Sequence, residues 1–477
     1  MCKPVWLAHF FTPPNEVKFL QYNSQFDKMT RQPVPSLILE LGLPTTISML
    51  VTNIYNIADT WFVGRIGTSA SGATGVVFGL MTIIQAVGFM FGHGAGSNIS
   101  RQLGAQNREA ACKFSATSFY LAIGCGSIIG VTGLCFLTPL CNLLGSTPTI
   151  LPYARTYAAC ILIAAPAMAV SCVINNILRY EGHASFAMVG LVSGNILNIF
   201  GDALLIFGLD MGIAGAGIAT MVSQYVSVGI LLVPYLRGRT QTSFAPRYLS
   251  RDVRDVGNIL LTGLPSLARQ GLGSVSTMAL NWQAKVYGDA AVAAMSIVAR
   301  VCNFLFCVAL GLGQGFQPVS GFNYGAGLYS RVRKGFLFTM GFGMVLMVLF
   351  GTAGFLLAEP IITIMRDDPE VVAIGSLALR AQCVSLLCIP ISLCCNMLFQ
   401  SIGLSGRATF VATLRSGVCF LPLLFLFSSL WGLLGIQLAQ PAADILAAVI
   451  ALPFAFLFFR TMPQDKPLHP AHQAAPQ

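Results

Sequence analysis

Twelve apolar stretches, most of them 22 to 26 residues long, run through this 477-residue chain. They fall near 34–57, 72–95, 114–136, 157–178, 187–208 and 212–235. After a polar break they resume near 257–281, 290–315, 335–357, 374–399, 408–430 and 434–458. About 20 apolar residues in a helix cover the ~30 Å hydrocarbon core of a bilayer, and in lipid each backbone N–H and C=O has to be bonded within its own segment. The chain is therefore expected to be an all-α polytopic membrane protein with twelve transmembrane helices. Only 9% of the residues are charged, against roughly 25% in soluble domains, which excludes a water-facing fold. The 14 cysteines lie mostly inside the apolar runs with no C-x2-C pair, so they read as small core residues and not as a metal or disulfide framework.

Loop charge orients the bundle. Of 27 Lys and Arg, four lie in the N-terminal tail, thirteen in loops after even-numbered spans and two in the C-terminal tail, while the opposite loops hold only Arg65, Arg155, Lys285 and Arg366. Nineteen against four predicts both termini in the cytoplasm. The same tally accounts for the net charge of +10 without nucleic acid. The first 33 residues lack the apolar core and cleavage site of a signal peptide, so the tail is expected to stay inside.

An internal repeat divides the chain. At an offset of 221, Gly42-Leu43-Pro44 falls on Gly263-Leu264-Pro265, Trp61 on Trp282, Gly92 and Gly94 on Gly313 and Gly315, and Gly104-Ala105 on Gly325-Ala326. Later an offset of 220 pairs Asn176 with Asn396, Gly212 with Gly432 and Ala219 with Ala439. The organisation read from this is an N-terminal tail 1–33, an N-lobe 34–236, a cytoplasmic linker 237–256, a C-lobe 257–459 and a C-terminal tail 460–477. Six spans per copy make the repeat parallel, about an axis along the membrane normal, which is a transporter geometry.

Positions shared by the copies read as architecture, and unshared acids read as function. Asp59 and Asp202 lie in apolar sequence, where a carboxylate costs roughly 2.5–3.5 kcal/mol to insert at mid-bilayer. Their counterparts are Leu280 and Pro422. Asn198, one turn before Asp202, corresponds to Val418, and Thr220 corresponds to Gln440. The first half thus carries a carboxylate, amide and hydroxyl set that the second lacks. Desolvation and like charge oppose simultaneous ionisation of two such acids, so the set is satisfied by a proton, by Na+ or by an arriving organic cation. Asp444, Arg269, Arg300 and Arg415 read as an internal charge-balancing set, with Asp444, Arg269 and Arg300 as a secondary site. His93 and His183 read as isolated, Glu181 as solvated or gate-related, and R-D-D-P-E at 366–370 as a helix cap.

The order of G-L-P at 42–44, Y-N-I-A-D-T-W-F-V-G-R-I-G at 55–67, R-Y-E-G at 179–182, N-I-F-G-D-A-L-L-I-F at 198–207 and N-Y-G-A-G at 323–327 resembles the multidrug and toxic compound extrusion (MATE) family, in its bacterial DinF-like and MepA-like branch. The resemblance covers about residues 34–460. It implies twelve helices in two lobes and cation-coupled multidrug efflux from the bacterial inner membrane, by antiport of small amphipathic, mostly cationic substrates. It places a cation site, for H+ or Na+, on Asp59, Asn198, Asp202 and Thr220, and a helix 1 kink on Pro44. Another branch uses an acid in helix 7, where this chain has Gly273. No tightly bound cofactor and a monomer are expected. No Walker loop is present, so ATP is not the expected energy source, and no catalytic constellation suggests an enzyme. A flippase or exporter of a lipid-linked or other amphiphilic precursor is the alternative that shares the layout.

Overall fold

The computed structural model describes residues 25–466. Among them no strand occurs, and twelve long helices carry the fold: α1 (Val34–Gly64), α2 (Thr68–Gly104), α3 (Arg108–Cys135), α4 (Leu151–Tyr180), α5 (Ala184–Gly208), α6 (Gly212–Leu236), α7 (Val253–Lys285), α8 (Asp289–Gly325), α9 (Tyr329–Leu356), α10 (Pro369–Ile402), α11 (Ser405–Trp431) and α12 (Leu433–Arg460). Each covers one predicted apolar stretch. Eleven are long and apolar enough to cross a membrane. The exception, α7, is diluted by Arg254, Asp255, Arg269 and a polar run that includes Gln270, Ser274 and Asn281, yet it packs against α2 and α11 like its neighbours. Asp368 caps α10, its Oδ1 accepting from Glu370 N (3.0 Å) and Val371 N (3.4 Å), as the R-D-D-P-E string suggests.

The repeat is visible as symmetric contacts. α1 packs on α8, and its counterpart α7 packs on α2. A Cβ at Gly315 would overlap the backbone of Gly42, and a Cβ at Gly94 would overlap the Ile259 carbonyl and crowd Gly263 N. The four repeat-matched glycines thus form two equivalent crossings, where only a missing side chain permits such approach. Nearer the helix ends, a Cβ at Gly104 would overlap the Phe322 carbonyl, and one at Gly325 would overlap the Arg101 carbonyl. Positions 101 and 322 are themselves repeat mates at 221. The short helices Leu137–Leu143 and Ala358–Met365 also begin 221 residues apart.

One register assignment needs correction. Asn175 Nδ2 donates to Ala187 O (2.9 Å), and Asn396 Nδ2 donates to Ala408 O (2.7 Å), so Asn396 matches Asn175 at 221, not Asn176 at 220. Gly212 and Gly432, with φ of 55° and 58°, do match at 220. The one-residue step therefore lies between Ala408 and Gly432. Both lobes are π-helical in this region, at Ala203–Gly208 in α5 and Leu414–Val418 in α11, and such bulges absorb single-residue changes of register.

The two ends of the bundle differ. On the face that carries residues 25 and 466, hereafter the terminal face, residues 91–100 of α2 and 311–323 of α8 are buried without exception. At the opposite ends of the same helices, Phe78, Ile83, Asn303 and Phe304 are exposed. The lobes are therefore packed shut at the terminal face. A helical segment at 25–31 lies across it: Gln25 Nε2 donates to Glu181 O (3.0 Å) on the N-lobe, while Asn323 Nδ2 of α8 donates to Met29 O (3.1 Å).

Glu181, which the sequence suggested was solvated or gate-related, is completely buried at the end of α4. Its carboxylate accepts from Gln241 N (3.0 Å), Thr242 N (3.2 Å) and Thr242 Oγ1, pinning the linker to the N-lobe. Burial pushes its carboxyl up from its ordinary 4.5 to about 7, against the lowering effect of those hydrogen bonds. A folded state that holds the proton more tightly than the unfolded chain loses stability as pH rises between the two values. Thermal stability in detergent should therefore decline from about pH 4.5 and level off above about 7, by an amount on the order of a few kcal/mol. Glu181→Gln should flatten that part of the profile. An unchanged profile in the variant would assign the dependence to other groups.

Candidate functional site

Asp59 on α1, Asn198 and Asp202 on α5 and Thr220 on α6 come together inside the N-lobe. Asp202 and Thr220 are fully buried and Asn198 nearly so. With its amide turned to satisfy both neighbours, Asn198 Nδ2 donates to Asp202 Oδ2 (2.9 Å) and its Oδ1 accepts from Thr220 N and Oγ1 (both 3.1 Å). The Asp59 and Asp202 carboxyls lie close enough to each other to interact electrostatically. One buried oxygen of each, Oδ1, has no hydrogen-bond donor. Two neighbouring carboxyls, each with a buried oxygen that lacks a donor, form a place that a proton or a cation can fill, because a buried charge is tolerated only when paired. Asp202 immediately precedes the π-helical turn of α5, a distortion found mostly at functional sites.

Two members of this cluster escaped the sequence reading. Tyr55, one turn before Asp59, and Tyr157 of α4 are buried close to the acids and to Thr220. Repeat asymmetry could have found Tyr55, since its mate is Ser276. Pro44 lies inside α1, which stays helical from Val34 to Gly64.

The C-lobe charges are arranged differently from the expected set. Asp444 of α12 is buried and saturated: it accepts from Arg415 Nε (2.7 Å), Gln382 Nε2 (2.7 Å) and Gln440 Nε2 (2.9 Å). Arg415 and Asp444 are thus the balanced pair. Arg269 instead donates through Nη1 to Asn396 Oδ1 (3.1 Å), and Arg300 is exposed on α8.

His93, expected to be isolated, is part of a cross-lobe cluster. Arg179 at the end of α4 donates to Asn176 Oδ1 and to Gln314 Oε1 of the C-lobe, and its Nη2 lies 3.2 Å from His93 Nε2. His93 Nδ1 faces Phe89 O at 3.1 Å, so the network assigns the ring proton to Nδ1 and leaves Nε2 to accept from Arg179. His93 and Gln314 are repeat mates, and the one arginine between them ties the lobes together at the closed end.

A two-lobe bundle of twelve helices, related by a parallel repeat and carrying a buried polar cluster in one lobe, defines a membrane transporter. The chain belongs to the MatE family, whose model matches twice, at residues 44–204 and 265–426, once per lobe. It is 26% identical over 430 residues to the multidrug export protein MepA of Staphylococcus aureus, covering 90% of this chain and 94% of that protein. A MepA of Staphylococcus saprophyticus is equally similar over 433 residues. Among solved structures, an outward-facing multidrug resistance MATE family transporter of the MOP superfamily superimposes with a TM-score of 0.87 at 25% identity, covering 91% of this chain and 98% of that one. A MOP superfamily transporter from Pyrococcus furiosus with a binding pocket of reversed polarity shares the fold, with a TM-score of 0.86 at 24% identity.

Proposed function

We propose that this protein is a secondary active multidrug exporter of the bacterial inner membrane, with both termini in the cytoplasm, which expels amphipathic, mostly cationic molecules in exchange for H+ or Na+. The observation that carries the reading is the neighbouring Asp59 and Asp202, each with a buried undonated oxygen, in the lobe whose repeat partner has no such acids. Similarity to proteins described as multidrug export proteins supports the direction and breadth of transport.

The mechanism follows from competition for one charge. An ion entering from the outer side fills the gap between the carboxyls, and Asn198 and Thr220 hold the cluster in shape. Filling it removes the negative potential that retains an organic cation, which leaves outward. Reversal inside, with the terminal face open, lets a new cation displace the ion, and bending of α1 at Pro44 couples the site to the lobes. Expelling a monovalent cation against about 100 mV costs roughly 2.3 kcal/mol, which one entering H+ or Na+ returns. The ion's concentration gradient then drives net export.

Efflux of a fluorescent cationic dye from proteoliposomes, with pH and Na+ gradients imposed separately, tests the proposal. One of the two gradients should drive export. Dye movement that ignores both would overturn ion coupling.

A further inference from the structure

The C-lobe holds a cleft whose polarity is opposite to that of the acid pair. It lies, partly open, among α7, α8, α10 and α11, and its lining includes Arg269, Arg415, Phe306, Ile389, Leu393 and Asn396. No acid lines it. Asp444 sits behind Arg415, completely buried and saturated by its own donors, so one of the two guanidinium charges is uncompensated. Among the described residues Arg269 bonds only through Nη1 and Arg415 only through Nε. The remaining nitrogens are not among the buried atoms left without partners, so their N–H groups are accessible, and Arg415 keeps 23% of its side chain exposed. The Arg415 guanidinium also lies over the Phe306 ring, 4.6 Å from its centroid, which fixes its plane.

Asymmetry argues against scaffold here as it does for the acids. Arg269 stands where the first half has Ser48, and Arg415, inside the π-helical turn of α11, stands where α5 has Gly194 and Asn195. A structural ion pair would need Arg415 and Asp444 alone. Among the described residues Arg269 has no acidic partner, and an unpaired cation in a partly dry cleft is costly unless something anionic joins it.

We propose that this cleft is a binding site for an oxyanion head group, a phosphate, sulfonate or carboxylate, on an amphiphilic molecule. The head group accepts from Arg269 and Arg415, and the apolar part lies against Phe306, Ile389 and Leu393. Planar guanidinium forks suit such groups. The site stands whether or not the acid pair couples transport to an ion, because its test is binding.

The probe is 1-naphthyl phosphate, titrated by calorimetry into the full-length protein in phosphatidylcholine nanodiscs. Saturable binding is expected, with Kd rising at least tenfold in Arg269→Gln and in the double variant Arg415→Gln/Asp444→Asn, which removes the ion pair without orphaning either charge. Tetraphenylphosphonium, the cationic control, should bind both variants as it binds the wild type, which also verifies folding. Repeating the titration in nanodiscs containing phosphatidylglycerol separates the two sources of such a head group. A raised apparent Kd identifies membrane lipid as the occupant, and an unchanged one identifies a soluble acidic amphiphile. Absence of saturable binding to the wild type, or equal affinity in both variants, would overturn the site.

Discussion

Asp202→Asn should abolish ion-driven dye export, lowering the initial rate at least tenfold, while the protein still inserts and runs as a single species. The substitution preserves side-chain volume and still offers an oxygen to Asn198 Nδ2, which now bonds Asp202 Oδ2 at 2.9 Å. It removes the second ionisable group, and that is the essential loss. With Asp59 alone the site can still attract a cation, but it no longer exchanges a proton between two acceptors or surrounds Na+ with two negative oxygens. Loss through misfolding would be a different result, and two measurements separate it. The melting temperature should stay within a few degrees, since replacing one of two opposed carboxyls relieves repulsion. Leu280→Val, at the repeat mate of Asp59, should leave transport largely intact. Export at wild-type rates through Asp202→Asn, under either gradient, would remove the N-lobe acids from the mechanism.

The features legible in the sequence were those with a local or periodic code. Spans follow from hydropathy because the bilayer thickness sets their length. The two-lobe plan follows from glycines recurring at 221, and the structure gives those glycines their reason, since Gly42, Gly94, Gly263 and Gly315 are where the lobes cross. The acid cluster was legible because a repeat supplies its own control. What could not be read depends on meetings between distant helices. Arg179 contacts Gln314 across 135 positions and His93 across 86, and nothing near any of them announces it. Of the two readings of Glu181, solvated or gate-related, burial rules out the first: a charged residue in a loop is ordinarily solvated, whereas here Gln241 and Thr242 fold back to cover it. The shift from Asn176 to Asn175 as the mate of Asn396 has a similar origin: a π-helical turn changes the register without leaving a mark in the composition.

Locking the terminal face should stop transport as completely as removing the acid. α2 and α8 are the elements to join, since one belongs to each lobe and their terminal halves are buried together. A Cβ at Gly321 would lie 3.3 Å from the Cβ of Ser100, just short of the roughly 3.5–4.5 Å typical of disulfides, so the pair Ser100→Cys/Gly321→Cys should cross-link under mild oxidant with little movement. The closed arrangement is one of the two that an alternating-access cycle needs. Fixing it forbids the other, and no gradient compensates for a state that cannot form. Export should fall to background in oxidant and recover with reductant. Each single variant should transport under both conditions, a control required because thirteen native cysteines are free among the described residues. Full transport by protein that is cross-linked to completion would mean that substrate never passes between α2 and α8 at this face, and the lobes would have to open along α1 and α7 instead.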